Sequence, residues 1–183
     1  GIEYSERDYE QEALVTNVEI DRPHQNIAYE RFTEQGPIAL LPLESIEGSN
    51  RMGLVWTLTP EQSARRHQLS QAQFLTELQL AFGNRAGLLI GLGERFSYPL
   101  KLSVAQEQVR PGLVVLGNAA HALHPIAGQG FNLAFRGVCS LAELIIERRT
   151  HGLELGELSA VEHYQKERLR DQRRTIQFGN SAL

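Results

Sequence analysis

The chain has 183 residues, of which 42% are hydrophobic, and this is enough apolar material for one core or two small ones. Its formal net charge of -4 gives no electrostatic reason to expect nucleic acid as a partner. The single cysteine, Cys139, excludes an internal disulfide and a cysteine-rich metal site, which fits a reducing compartment, and the apolar runs are too short to span a bilayer.

The first part of the chain predicts an antiparallel sheet. Apolar and polar residues alternate from Ala13 to Ile20, which is the pattern of a half-exposed strand. Further strands are predicted over Asn26–Thr33, Pro37–Leu43 and Arg51–Leu58, and a last one over about Glu94–Leu102. The turn-like segments between the first four are short, and short connections favour antiparallel neighbours.

One helix is predicted inside this region. Ser70 and Gln73 have the spacing of a capping box, and Gly83 stands where a helix C-terminus is expected. Between them, Phe74 and Leu78 lie on one apolar face.

After residue 104 the pattern changes. The apolar run Leu113–Leu116 predicts a strand covered on both faces, and helical spacing begins at Gly130. We expect Cys139 to be buried on the apolar side of that helix. The residues predicted to form its apolar side are Phe131, Ala134, Phe135, Val138, Leu141, Ala142, Ile145 and Ile146.

A last helix is predicted from Glu162 to Arg174, with Ser159 as its cap. Acidic residues are interspersed among its arginines. The ordinary interpretation is a solvated helix face; the alternative is a nucleic-acid or membrane role for the arginines.

The segment LGNAAHALHPIAGQGFN, residues 116 to 132, joins the predicted strand to the long helix. A helix whose first turn is rich in glycine offers unpaired backbone N–H groups and the positive end of a dipole, which together favour an anion. The alternative is a tight turn that needs glycine only for its backbone angles.

Taken whole, GNAAHALHPIAGQGFN resembles the second flavin-contacting motif of the class A FAD-dependent aromatic hydroxylases, GDAAHxxxPxxGQGxN. Upstream, ERFTEQGPIALLPL at 30 to 43 and LVW at 54 to 56 are similar to the ubiquinone-biosynthesis branch of that family. The resemblance implies an α+β fold. Residues 1–103 would be a portion of a substrate domain, an antiparallel sheet with helices. Residues 104–183 would be the strand-loop-helix C-terminal portion of a Rossmann-like FAD domain.

The resemblance also implies roles for single residues. Asn118 stands where the family usually has an aspartate that bonds the ribityl hydroxyls of FAD, and Pro125 would lie beside the flavin ring. Backbone N–H groups of the GQG segment would meet the pyrimidine edge of the flavin. The implied cofactor-binding residues are Gly117, Asn118, Pro125, Gly128, Gln129, Gly130, Phe131 and Asn132; no metal ligand is expected.

Three further positions of the motif region were interpreted. His121 is expected to be a hydrogen-bonded structural residue. His124, next to Pro125, is the candidate catalytic residue, because an imidazole there would exchange a proton with a phenol. Gly137 departs from the family pattern, in which an aspartate often follows the arginine.

Two family motifs do not occur in the chain, the GxGxxG fingerprint for the ADP half of FAD and the later DG motif. We therefore expect a C-terminal fragment of a longer enzyme, inactive by itself.

The function implied is hydroxylation of a polyprenylated phenol in ubiquinone biosynthesis, with FAD, NAD(P)H as reductant, and O2. A prenylated substrate implies a cytoplasmic protein peripheral to the inner membrane, or one associated with other ubiquinone-biosynthesis proteins. Two alternatives remain: a hydroxylase of another aromatic substrate, and a non-catalytic binding or assembly domain.

Overall fold

The computed structural model describes residues 1–46, 48–125 and 128–182. Its strands are β1 (Tyr4–Ile20), β2 (Tyr29–Thr33), β3 (Gly36–Pro42), β4 (Asn50–Leu58), β5 (Leu89–Leu92), β6 (Phe96–Ala105), β7 (Val109–Arg110), β8 (Leu113–Val114) and β9 (His121–Ala122). Its helices are α1 (Pro60–His67), α2 (Gln71–Phe82), α3 (Gln129–Thr150) and α4 (Leu158–Ala182), with a 3-10 turn at Gly117–Ala119. None of the helices in these ranges is both long and apolar enough to cross a membrane.

The chain divides into two compact units, and β1 and β6 contribute residues to both. The first unit is Glu10–Leu100, and the second is Gly1–Tyr9 together with Lys101–Leu183. The main sheet has the strand order β2-β3-β4-β1-β6-β9, and β5 pairs with β1. The predicted α+β class, an antiparallel sheet with helices, is confirmed.

The core of the first unit is built around a row of side chains that crosses three strands. Trp56 of β4 lies opposite Leu14 on one neighbouring strand and opposite Ile38 on the other. All three are fully buried. Phe74 of α2 covers the row, with its ring edge-on to the Trp56 ring at a centroid distance of 6.2 Å. Period-two alternation on the strands therefore faces one stripe of α2.

A buried cation lies against the same tryptophan. The guanidinium of Arg66 is 4.3 Å from the centroid of the Trp56 ring, and the residue is only 3% exposed. Its Nη2 donates to Gln35 Oε1 at 2.5 Å, and its Nε lies 3.5 Å from Glu77 Oε2, an ion pair without hydrogen-bond geometry. Burial lowers the pKa of Arg66. The ring face and these oxygens offset part of the cost of desolvating the charge.

Helix α2 agrees with its prediction from the sequence. Ser70 is the N-cap, its side chain accepts from the backbone of Gln73, and the Gln73 side chain accepts from Ser70 in return. Gly83 is the C-cap. Helix α1 and strand β5 were not predicted, although Thr59 and Gln62 form a second capping box at the start of α1.

The predicted strands are present with shifted ends. Strand β1 begins at Tyr4, well before the predicted Ala13, because its first residues are exposed and charged and show no apolar alternation. The prediction that Leu113–Leu116 forms a strand covered on both faces is wrong. Strand β8 covers only Leu113–Val114, pairs with β7 in a two-stranded ribbon, and leaves Leu113 exposed.

Most of the apolar stripe predicted for α3 faces outward, whereas Leu141 of that stripe packs against the core of the second unit. Phe131, Phe135, Val138 and Ile146 are exposed, and so is Cys139, which we expected to be buried. The fully buried positions of α3 are instead Leu133 and Gly137. The predicted stripe and the stripe with Leu133 and Gly137 both consist of apolar or small residues. The periodicity therefore predicted the helix but did not decide which stripe packs against the core of the second unit.

Helix α4 begins at Leu158, so Ser159 lies inside it and is not its cap. The core that α4 shares with α3 and the β7–β8 ribbon is small. It has Val109, Val161 and Tyr164 as buried residues, with half-buried Val114, Leu116, Leu141 and Leu144 around them.

The first prediction concerns the row beneath α2. Leu78→Ala should lower the free energy of unfolding by about 2–5 kcal/mol, because Leu78 is fully buried and the cavity cannot close. Leu80→Ala on the same helix is the control, since Leu80 is 80% exposed, and should change it by less than about 0.5 kcal/mol. Urea unfolding followed by far-ultraviolet circular dichroism measures both, and equal losses would contradict this packing.

Candidate functional site

The predicted cofactor-binding residues lie on one continuous segment, which runs from the 3-10 turn through β9 to the first turn of α3. Ile126 and Ala127, inside that segment, are outside the described residues. Among the predicted residues, five are exposed and three are half-buried. The exposed ones are Asn118, Pro125, Gly128, Phe131 and Asn132, and the half-buried ones are Gly117, Gln129 and Gly130.

The beginning of the segment is fixed by backbone pairing. Ala122 and His121 pair with Ser103 and Val104 of β6. The phenol of Tyr4 donates to the carbonyl of Ala119 at 2.8 Å. The exposed amide of Asn118 therefore stands on a turn that is held on both sides.

The end of the segment depends on one left-handed residue. Gly128 has φ of 60° and ψ of 24°, a conformation that L side chains rarely adopt, and it is the N-cap of α3. Its N–H donates to the carbonyl of Pro125 at 3.0 Å. That donor is therefore used within the loop, which leaves the N–H groups of Gln129 and Gly130, in the first helical turn, to face a ligand.

Neither the backbone conformation nor the packing of the described residues requires a glycine at position 130. Its φ is not in the left-handed region, and a Cβ built on it would meet no described atom within 4 Å. A cradle that a side chain would fill, at the positive end of a 22-residue helix, fits the close approach of a ligand with partial negative charge. The pyrimidine edge of a flavin has that character, so the residues present fit the FAD that the motif implies.

The direction of α3 is fixed by a polar clamp from α4. Arg136 donates from Nε and Nη2 to the two carboxylate oxygens of Asp171, at 2.8 and 3.1 Å. Arg168 adds a third bond to Asp171 Oδ2 at 3.1 Å. The hydrogen bond from Arg136 is the main cause that lowers the pKa of Asp171, ahead of the charge of Arg168. The carboxylate stays ionised at neutral pH and ties the two helices together.

Next to this clamp, Gly137 lets α4 approach. The phenol of Tyr164 donates to the carbonyl of Gly137 at 3.1 Å, and a Cβ on Gly137 would lie 3.4 Å from the phenol oxygen. The position departs from the family's aspartate. Here the carboxylate that accepts from Arg136 belongs to Asp171 of α4. No local sequence signal pointed to this residue, because the two residues lie 35 positions apart in the chain.

Both histidines of the motif are buried. His121 is 5% exposed, and its Nδ1 has no hydrogen-bond partner within the described chain. His124 is 4% exposed and lies edge-on to the Tyr9 ring at a centroid distance of 5.1 Å. Burial lowers the pKa of each imidazole below its ordinary value. Both are therefore neutral at pH 7.

Two cavities formed by described residues next to the loop are too small for an aromatic substrate. One cavity, lined by His121, Gly137 and Gln172, has a volume of ≈ 10 Å³. Another, lined by His124, Tyr9 and Ile176, also has ≈ 10 Å³. Each has room for about one water molecule, whereas a small-molecule site needs about 300 Å³ or more. The exposed side of the segment is the one that a ligand can reach.

Comparison with known families gives a match over nearly the whole chain. A family model described as "FAD binding domain" matches residues 1–179. Ubiquinone hydroxylase UbiL of Rhodospirillum rubrum is 38% identical over 86% of this chain and 36% of that protein. The 3-demethoxyubiquinol 3-hydroxylase of Escherichia coli is 31% identical over 89% of this chain and 40% of that protein.

Human COQ6, a mitochondrial ubiquinone biosynthesis monooxygenase, is 30% identical over 93% of this chain and 43% of that protein. The chain thus spans about two fifths of the length of the relatives it matches. Among solved structures, the myxobacterial FAD-dependent halogenase CndH matches with a TM-score of 0.73 at 16% identity, over 97% of this chain and 42% of that one. The fold is therefore that of part of a flavin-dependent hydroxylase or halogenase.

The second prediction follows from the two buried histidines. In the unfolded chain they bind protons below about pH 6.5, whereas burial keeps them neutral in the folded chain. Above that pH both states are neutral, so the two histidines do not make the free energy of unfolding depend on pH. As the pH drops from 6.5 toward the lowered folded pKa, only the unfolded chain gains protons, and the free energy of unfolding falls. His124→Gln should reduce the slope of unfolding free energy against pH by up to about 1.4 kcal/mol per pH unit.

Denaturant titrations between pH 5 and 7.5 measure this slope. His163→Gln is the matched control, because the His163 side chain is 74% exposed, and it should leave the slope as it is. An unaltered slope in both His121→Gln and His124→Gln would contradict the burial of these rings.

Proposed function

Because the chain belongs to the FAD binding domain family of flavin-dependent monooxygenases, within the ubiquinone-biosynthesis hydroxylases, we propose that it is the C-terminal part of an enzyme that hydroxylates a polyprenylated phenol. The observation that carries the proposal is the open first turn of α3. Gly130 has no packing requirement for glycine there, directly after a segment that matches the family's flavin motif.

In this proposal the chain's own groups hold the flavin and do no covalent chemistry. When bound, FAD would supply the redox chemistry: electrons from NAD(P)H would reduce O2, one oxygen atom would enter the ring and the other would leave as water. The backbone N–H groups of Gln129 and Gly130 stabilise negative charge at the pyrimidine edge, as fixed donors that need no reorganisation. Asn118 bonds the ribityl hydroxyls with an amide, without the charge of an aspartate, and Pro125 lies beside the ring.

The remaining predicted residues complete this cradle. Gly117 and Gly128 give the backbone its turns before and after β9, with φ of 59° and 60°. Phe131 and Asn132 follow on the exposed side of the first helical turn. We propose that these four, with the groups above, form the flavin side of the site.

His124 is proposed as a positioning residue and not as a group that exchanges a proton with the substrate. It is buried against Tyr9, so its contact with a phenol substrate would need the loop to open. Its place directly before Pro125 lets a fixed imidazole hold that proline against the flavin. The catalytic role remains the alternative for this residue.

We propose that residues 1–103 are a portion of the substrate domain and 104–183 a portion of the FAD domain. The ADP half of FAD and the reductant NAD(P)H would be held by further chain; the matched relatives are more than twice as long as this chain. The apolar stripe of α3 that faces outward includes the stacked rings of Phe131 and Phe135, whose centroids are 6.0 Å apart. Such an exposed apolar surface supports the proposal that further chain packs against α3.

The proposed substrate class rests on the three relatives named above, each of which carries ubiquinone or ubiquinol in its name. A polyprenylated ring resides in a bilayer, so the enzyme would work at the inner membrane surface or with other ubiquinone-biosynthesis proteins. The alternatives are a hydroxylase of another aromatic substrate and a non-catalytic binding domain.

The third prediction tests the function. The protein extended upstream to the length of its relatives should bind FAD, oxidise NAD(P)H, and place one atom of ¹⁸O2 in a prenylated methoxyphenol. The matching unprenylated phenol and a soluble aromatic acid are the control substrates and should react more slowly. Uptake of label by the acid alone favours the first alternative, and no flavin binding at all favours the second.

The fourth prediction tests the cradle. In the extended protein Gly130→Val should weaken FAD binding at least about tenfold and lower the flavin reduction potential, since the donors are displaced from the charge they stabilise. Ala142→Val, at an exposed position of the same helix, controls for the helix cost of valine. Titration with FAD and a redox titration of the bound flavin measure both. A loss of thermal stability with an unchanged potential would leave GQG as a turn only.

A further inference from the structure

Helix α4 carries four cations on the side that faces away from α3. Lys166, Arg170, Arg173 and Arg174 are all exposed. Counted from Lys166, the others follow at 4, 7 and 8 residues, which places them in one stripe of a helix. We name this stripe the basic face.

The sequence shows acids among these cations: Glu162 and Glu167 are exposed near the start of the stripe, and the fold turns only Asp171 away from it. Asp171 lies on the other side of α4, bonded by Arg136 and Arg168. Glu167 lies at the beginning of the stripe, 3.9 Å from His163. Beyond it, the only acidic residue before the end of the chain is Asp171. The outward side from Arg170 onward is therefore purely cationic.

None of the ion pairs found in the described ranges involves a member of the basic face. Four residues beyond Arg174, at the same side of the helix end, Phe178 is 56% exposed. Cations that border an exposed aromatic ring are the pattern of a helix at a lipid interface, where the ring enters the headgroup layer and the cations meet phosphates.

We propose that the basic face docks the protein on an anionic phospholipid surface, with Phe178 as its anchor. The inference rests on the proposed function for its purpose, since a prenylated substrate must be drawn from a bilayer. Phe178 favours lipid over duplex nucleic acid, because an apolar ring enters a headgroup layer but gains nothing from a phosphate backbone; stacking on the bases of a single strand is the outcome that the oligonucleotide arm of the test detects. The net charge of -4 of the whole chain also opposes a long polyanion, whereas one helix face suffices for a membrane.

The test is flotation of the chain with phosphatidylcholine vesicles that do or do not contain phosphatidylglycerol. The unaltered chain should bind only the anionic vesicles, and the binding should decrease as salt is raised. Replacing Arg170, Arg173 and Arg174 together by glutamine should weaken partitioning roughly 100-fold, at about 1 kcal/mol for each charge. Far-ultraviolet circular dichroism checks that α4 is still helical.

A matched triple variant controls for net charge. Arg85, Lys101 and Arg149 are exposed elsewhere, and their joint replacement by glutamine should leave vesicle binding within about twofold of the original. Phe178→Ala should also weaken binding to the anionic vesicles, because the ring no longer enters the headgroup layer.

Three results would overturn the proposal: no binding of the unaltered chain to anionic vesicles, an equal loss in both triple variants, or tight binding to a single-stranded oligonucleotide without vesicle binding. The assay needs neither flavin nor turnover. A failure of hydroxylation with intact vesicle binding therefore separates the proposed function from the docking surface.

Discussion

The carboxylate of Asp171 is the constraint on which the candidate site depends. It accepts hydrogen bonds from one arginine of α3 and from one of its own helix, and the bidentate pair with Arg136 links the two helices of the second unit. The open glycine turn is the first turn of α3, so the direction of its unpaired N–H groups is set by how that helix is held. A loop with glycines can be precise only where the helix that follows it is fixed.

The two units reach stability by different means. The first has a continuous apolar core of fourteen buried residues, and its buried arginine is covered by an aromatic face. The second has a core cluster of only three buried residues, supplemented by the Asp171 clamp, the Tyr164 bond to Gly137, and a reciprocal amide pair between Gln108 and Gln172. A unit held largely by polar contacts opens locally more easily, and a site that must admit a large cofactor belongs at that end of the stability range.

The sequence predicted features that depend on neighbouring residues and missed contacts between segments that are distant in the chain. The Ser70–Gln73 capping box placed α2 to the residue, because every group involved lies within one turn. The pattern of α3 gave its start within one residue but the wrong buried side, since Phe131 and Ile146 are as apolar as the residues that face α4. Motif resemblance identified the loop. It could not show that the N–H of Gly128 donates to the carbonyl of Pro125, or that Asp171 accepts a hydrogen bond from Arg136. Those contacts are set by how distant segments meet, and no spacing encodes them.

Trp56 is the single tryptophan of the chain, and it lies in the core of the first unit under a guanidinium. Its indole is shielded from water in the native state, so its emission at long excitation wavelengths is blue-shifted and moves to the red when that core opens. The second unit contributes only tyrosines to the ultraviolet emission of the chain. The protein thus contains its own optical reporter for one unit, and a difference between tryptophan emission and total helix content during unfolding separates the melting of the two units without any added label.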